Sequence, residues 1–401
     1  MKKNMKLAAS LSAVTLATLA TFAPHAAATN GDHMLGLSAI QNGMAGAVVA
    51  APQDAATVLV NPAGMAELAI KDVRFDLGVG FFNPPRQING FDSDSDLYMM
   101  PTGAVAFRVN DQLTLGMGLG GISGMGVDFP DTMVAPGNQS LVTTKQFFKV
   151  SPGFAYRVND SVSIGATVNL NYQSLALSGF SPSGRFDLPQ NQVFGWGVTA
   201  GLVWKPNPAL QFGAAWSSKQ NMSEFEWNTP TTPTSTGGKI TLDMDAPQTF
   251  TFGLAWKPMP GLLIEGDIKR IGYRDVMDTL AFGRPAGYTG AVPAAMPFGW
   301  SNQTIYALGI QKDIGDKMQV RVGFNYGKSP IGPEDVNANL GSLAVVEKHL
   351  SLGVSRKFSD KVTGSLSYVH AFKNSVTSNV APFNTIELKQ NLFNMQVSYQ
   401  F

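Results

Sequence analysis

The sequence predicts an all-β fold: a transmembrane antiparallel β-barrel of about fourteen strands with a small N-terminal hatch, or plug, in its lumen. Three observations lead there. The chain opens with an export signal, its apolar residues are abundant but never continuous after that signal, and six short turns of one chemistry recur along it. Hydrophobic residues make up 44% of the 401 residues, whereas charged ones make up 14% and nearly cancel at +1. No run beyond the leader approaches the roughly eighteen consecutive apolar residues of a membrane helix. An exported chain with 42 Gly, 25 Phe and few charges is most simply one whose apolar band is spread over alternate residues of barrel strands. The balanced charge argues against nucleic acid as a partner.

Residues 1–28 read as a signal peptide. Lys2, Lys3 and Lys6 form a basic start, Leu7 to Phe22 is apolar, and Ala26-Ala27-Ala28 offers a cleavage site, so the mature chain begins near Thr29. The absence of Cys excludes disulfides, thiolate metal sites, cysteine nucleophiles and a lipoprotein anchor. Residues 29–70 follow as the hatch. They contain almost no aromatic side chain, are rich in Ala, Gly and Met, and close on Asn61-Pro62-Ala63-Gly64. Pro62 stops regular structure, Gly64 permits a turn, and Asn61 can hydrogen-bond where water is scarce.

Residues 71–401 form the barrel. RVNDQLTLG (108–116) recurs as RVNDSVSIG (157–165), and WKPNPALQFG (204–213), WKPMPGLLIEG (256–266), KDIGDKMQVRVG (312–323) and KFSDKVTGSL (357–366) repeat the pattern. Each is a short Asn, Asp, Pro or Gly connection between alternating segments, the chemistry of tight hairpins. Short turns on one rim and longer loops on the other are the outer-membrane plan. Period-two alternation supplies the faces. Phe194, Trp196, Val198, Ala200, Leu202 and Trp204 point to lipid, against Gly195, Gly197, Thr199 and Gly201; Phe393, Met395, Val397, Tyr399 and Phe401 oppose Asn394, Gln396, Ser398 and Gln400. Trp204, Trp256, Tyr156 and Phe358 beside the short turns suggest one aromatic girdle, and Trp216, Trp227, Tyr273 and Trp300 a second.

Several strands place glycine on the inner face: Gly116, Gly118, Gly120, Gly165, Gly195, Gly197, Gly213, Gly253, Gly309, Gly323 and Gly353. Glycine inside a strand often marks close approach of another backbone, and a wall lined by hydrogen atoms leaves room for the 29–70 segment. LGMGLGG also fits a nucleotide-loop pattern, but no helix follows it, which removes that meaning.

NGMAGAVVAAPQDAATVLVNPAGMAEL, DAPQTFTFGLAWKP and WSNQTIYALGIQKDIGDKMQVRVGFNYGKSPIGPE together resemble the long-chain fatty-acid and aromatic-hydrocarbon channels of Gram-negative outer membranes, in order from the mature N-terminus to Phe401. The resemblance implies an outer-membrane protein that captures hydrophobic molecules by its extracellular loops. They pass to a pocket inside the barrel and leave sideways, beside a kink in the third strand that faces the hatch. On it, Asn61, Pro62 and Ala63, with Gly64 closing the turn, carry the hatch motif. Gly116, Gly118, Gly120 and Gly121 of the third strand (113–122) suit a lateral opening.

The expected substrate is a long-chain fatty acid, an alkane or a monoaromatic. Met125, Val127, Phe129, Leu177, Phe180 and Phe298 in extracellular loops are candidates for capture or pocket lining. A carboxylate substrate would want a cation; Arg185 and lumen-side Arg321 are the candidates taken from a longer set of lysines and arginines. Glu265, Asp267 and Lys269 share one inward face, where charges are usually paired and structural. The expected surroundings are outer-membrane lipid and lipopolysaccharide, or detergent in a purified sample, with the chain as a monomer. No cofactor, metal cluster or catalytic constellation is legible: the mature chain has only His33, His349 and His370, and no metalloprotease or nucleophile-elbow motif. The alternative function is a diffusion porin for small polar solutes, which would show charged rings in an open channel.

Overall fold

The computed structural model describes residues 30–130 and 140–401; the signal peptide expected at 1–28 and Thr29, near which the mature chain is expected to begin, lie outside them. Fourteen antiparallel strands form the wall among the described residues. They are β1 (Val73–Asn83), β2 (Tyr98–Arg108), β3 (Leu113–Phe129), β4 (Leu141–Arg157), β5 (Val162–Ser181), β6 (Gly184–Asn207) and β7 (Leu210–Ser217). The second half comprises β8 (Thr249–Met259), β9 (Leu262–Ile271), β10 (Gln303–Ile314), β11 (Met318–Gly327), β12 (Lys348–Lys357), β13 (Val362–Thr377) and β14 (Thr385–Gln400). Each pairs with its sequence neighbours, and β1 closes the barrel on β14 from Arg74 opposite Gln400 to Asn83 opposite Asn391.

The six short turns lie where their residues require them. Asn110 Oδ1 accepts from the Gln112 and Leu113 N–H groups, and Asn159 and Asn207 cap their own turns in the same way. Side chains that bond backbone two or three residues on make such turns locally stable. Gly261 and Gly315 sit at φ +72° and +59°, which side chains disfavour, in the turns after β8 and β10.

Alternation sorts the wall as expected. Phe194 (66% exposed), Trp196, Val168, Leu170 and Val397 face outward, while Asn394, Gln396, Ser398 and Asn169 are buried inside. Trp204, Trp256, Tyr156 and Phe358 are all exposed beside the short turns. The second girdle is corrected. Only Trp216 is exposed; Trp227, Tyr273 and Trp300 are buried on the long-loop side, where the indoles donate to Pro189 O and Asn339 Oδ1. Buried Trp needs such an acceptor, and these rings fill an extracellular core.

That core also changes the expected loops. β3 to β6 extend far past their neighbours, so Met125, Val127 and Phe129 belong to β3, and Leu177 and Phe180 to β5, instead of loops. With a small extracellular sheet of 225–229, 238–242, 280–283 and 295–296, they close one apolar cluster that includes Phe298 and Trp300. The weakly charged 281–300 stretch turns Phe282, Val292, Phe298 and Trp300 into this cluster.

Candidate functional site

Residues 30–70 occupy the lumen, and their local structure follows from small residues and caps. Ser38 Oγ accepts from the Gln41 N–H at the start of a short helix, Ala39–Gly43. Two 3-10 turns, Ala55–Leu59 and Pro62–Glu67, follow, with Pro62 at the start of the second. Most residues of 30–70 are buried.

The glycine-lined wall is occupied by this segment. A methyl group built on Gly118 would lie 2.7 Å from both Val58 Cγ1 and Leu59 Cγ, and one on Gly165 would lie 2.5 Å from Ala63 N. Gly116 faces Met65, Gly201 faces Asn61, Gly213 faces Val49, and Gly309 and Gly323 face Met44 and Ala45. Gly195 and Gly197 differ: they face Met222 and Gln220, where the chain after β7 folds inward. Gly253 meets both Asp267 and Ala50.

Wall side chains hold the segment by its backbone. Asp267 Oδ2 accepts from Val48 N (2.9 Å) and Val49 N (3.0 Å), and Glu265 Oε1 accepts from Ala50 N (2.7 Å) and Ala51 N (3.0 Å). Asn61 Nδ2 donates to Val49 O (2.8 Å) and to Leu202 O of β6 (3.1 Å), tying two parts of the segment to the wall. Asn325 Nδ2 donates to Ala45 O. Arg321, buried, donates to Gln53 Oε1 (3.1 Å) and Ser355 Oγ (2.6 Å). Asp54 accepts from Ser38 Oγ and Gln41 Nε2. Burial, reinforced by the charge of Asp76, pushes the Asp54 carboxyl above its ordinary range.

Beside this segment, β2 and β3 part. Their ladder runs from Arg108–Thr114 up to Thr102–Gly120 and stops. Pro101, the first unpaired residue of β2, has no N–H to donate, and β3 is irregular against β4 between Gly121 and Ser123. Gly116 and Gly118 are inside the paired stretch; Gly120 is its last residue, and Gly121 stands at the break. The exposed edge of β3 is covered instead by the start of the luminal segment: Met34 N donates to Ile122 O (3.0 Å) and Gly124 N to Asp32 O (3.1 Å). An open edge at membrane depth needs such a partner.

A buried polar group pins that start. Lys145 Nζ lies 2.7 Å from Asp32 Oδ2, and Tyr273 Oη lies 2.9 Å from Asp32 Oδ1, 2.7 Å from Asn30 O and 2.9 Å from His33 Nδ1. Burial alone would raise the Asp32 carboxyl, but Lys145 and His33 outweigh it and hold it below the ordinary carboxylate range. Burial lowers His33 despite Asp32, and burial with the Asp32 charge raises Tyr273.

Three cavities among the described residues bear on the site. One of about 30 Å³ is lined by Met125, Leu177 and Phe298. Val127 and Phe129 belong to the same apolar cluster, against which Phe180 packs. A wide one of about 720 Å³ opens at the short-turn rim. The third, about 90 Å³, lies between the luminal segment and the wall. Arg185 is exposed near the tip of the β5–β6 hairpin, away from the lumen, and Arg321 already holds Gln53. Lys149 of β4 and Lys269 of β9 line the 90 Å³ cavity without a hydrogen bond or ion pair among the described residues. Lys149 escaped the sequence selection, although its even spacing from Lys145, Phe147 and Ser151 puts it on one inward face.

The model of the family described as Outer membrane protein transport protein (OMPP1/FadL/TodX) matches residues 17–401. The chain belongs to this family. As a FadL/TodX-family β-barrel it resides in the outer membrane of a Gram-negative bacterium, and its family is one of transporters. Among solved structures it is similar to the P. putida toluene transporter TodX: 19% identity, 91% of this chain and 99% of that chain covered, TM-score 0.74. It is also similar to a Pseudomonas aeruginosa FadL homologue (16% identity, 92% and 100% covered, TM-score 0.75). The Ralstonia pickettii toluene transporter TbuX gives 17% identity, 91% and 98% coverage and a TM-score of 0.73. At these identities the likeness is one of fold. Comparison with curated proteins finds no match.

Proposed function

We propose that this FadL/TodX-family protein is a passive uptake channel for hydrophobic compounds, long-chain fatty acids or hydrocarbons, which it releases sideways between β2 and β3. Residues 29–70 act as its hatch, with Asn61, Pro62, Ala63 and Gly64 as the motif that fixes the hatch to the wall. The observation that carries this is the parting of the β2–β3 ladder above Thr102–Gly120, beside residues 32–34, which bond the β3 edge there. Leaving sideways into hydrocarbon spares an apolar molecule rehydration, worth about 25 cal/mol per Å² of its surface. The extracellular cluster around Met125, Leu177 and Phe298 supplies an apolar route above the membrane.

The test pairs two measurements on one preparation. Cells making the protein should take up radiolabelled dodecanoate or toluene faster than cells without it, while the purified protein in a planar bilayer shows no conductance of porin size. Steady porin-like conductance without enhanced hydrophobic uptake would establish the diffusion porin instead.

A further inference from the structure

We propose that the outward face of β9–β14 is a docking surface for lipopolysaccharide, with Arg270, Lys328, Lys348 and Lys389 holding the phosphates of its lipid A head group. This goes beyond the uptake function and concerns the outside of the wall. All four side chains are exposed, and each continues an outward, period-two row. Arg270 stands two residues beyond Ile268, Lys348 two before Leu350, Lys328 four beyond Phe324 and Lys389 four before Phe393, and these apolar neighbours are all exposed. The registers set the four cations side by side. Arg270 faces Thr304 on β10; the next residue, Ile305, faces Gly327, which Lys328 follows. Lys348 faces Tyr326, and its neighbour His349 faces Ala371, which in turn faces Gln390 beside Lys389.

Height puts this arc at the extracellular edge of the lipid. Each cation lies about ten residues up from the short-turn end of its strand, which at barrel tilt spans ~25 Å, the height of an apolar band. At the same level on the rest of the wall stand Phe81, Met99, Phe194 and Phe250, so the basic arc belongs to one side. None of its four cations has an ion pair among the described residues. The carboxylates beside it are engaged: Glu387 lies 2.6 Å from Lys373, and Glu347 accepts from the Ser329 N–H (3.0 Å). The occupant follows from place and charge. The chain resides in the outer membrane, whose outer leaflet is lipopolysaccharide, an acylated disaccharide that carries phosphates. Its acyl chains would meet Ile268, Phe324 and Leu350 below, bringing the phosphates level with Lys and Arg side chains suited to bind them. Tyr306 and Tyr326, opposite each other in the same stretch, fit such an interface.

Native mass spectrometry on the full chain in a neutral detergent tests this with bisphosphorylated lipid A, its dephosphorylated form and phosphatidylglycerol. The expected result is bisphosphorylated lipid A binding at least about tenfold tighter than either of the others. Arg270→Gln, Lys328→Gln, Lys348→Gln and Lys389→Gln combined should weaken that binding about tenfold or more, while Lys328→Arg, Lys348→Arg and Lys389→Arg combined should keep it. Heat-dependent mobility on gels verifies barrel assembly in each variant, and the comparison of the three lipids on the native chain needs no variant. Equal binding of lipid A with and without its phosphates, or full binding by the assembled glutamine variant, would overturn the docking surface. Phosphatidylglycerol bound as tightly as lipid A would overturn it as well, leaving a general attraction for anionic lipid, and so would a native chain that binds no lipid A.

Discussion

Asn61 shows at the scale of one residue how the 61–64 stretch is tied to the wall. Its amide donates to Val49 O and Leu202 O, and Pro62 begins the turn that follows. Gly201 provides the room, since a side chain there would meet the Asn61 amide. Asn61→Ala removes both bonds and leaves the buried Val49 O without its donor, a loss of about 1–3 kcal/mol. We expect amide hydrogen exchange over residues 57–64 to accelerate about tenfold or more, without loss of barrel assembly. His33 gives a second expectation. Burial holds its pKa below the ordinary 6.5 in the pinned state, so the pinned state favours the neutral ring. The pin is therefore complete above pH 6.5 and weakens as pH falls below it, when a released His33 gains a proton that the buried one resists. Asp32 opposes this shift and Lys145 and Lys269 reinforce it. Limited proteolysis or hydrogen exchange of residues 30–36 should rise on acidification from pH 7 to 5, and His33→Phe should remove that dependence.

At the scale of elements, the wall and the luminal segment are fitted to each other by two devices. Glycines bring the backbones close, and Glu265 and Asp267 receive four consecutive N–H groups from Val48 to Ala51. These N–H groups have no strand or helix of their own to join, so the carboxylates replace secondary structure. Glu265→Ala with Asp267→Ala would leave them all unpaired, at about 1–3 kcal/mol each before relaxation or water entry. The segment should then leave the lumen intermittently. Single-channel recordings should show openings to small ions that the native chain lacks, with barrel assembly retained; an unchanged quiet trace would mean that the other wall contacts suffice. A similar logic explains the parting of β2 and β3. Pro101 cannot extend the ladder, Gly121 and Ser123 bend β3, and residues 32–34 take over the edge.

On the scale of the whole molecule, much was legible because barrel physics is written in period-two alternation and turn chemistry. The outward Phe194 and Trp196, the six short turns and the crowding of Gly118 and Gly165 all followed from it. What alternation cannot convey is how far a strand continues beyond the membrane. For that reason Met125, Val127 and Phe129 read as loop, and Trp227, Tyr273 and Trp300 as an outer girdle, when they build an extracellular core. Nor does it show which inward cation finds a partner: Arg321 had to be seen against Gln53, and Lys149 against an empty space. Pro101 was visible, but its meaning depends on the register of its neighbour. The central claim is sideways exit at the β2–β3 break, and the absence of native cysteine makes it directly testable. Met100→Cys and Gly121→Cys place thiols on the two strands at that break, and a short bifunctional thiol reagent can join them. Cross-linking should lower hydrophobic uptake about tenfold or more by closing the exit, and cleaving the linker should restore it. Undiminished uptake by fully cross-linked protein would contradict sideways release.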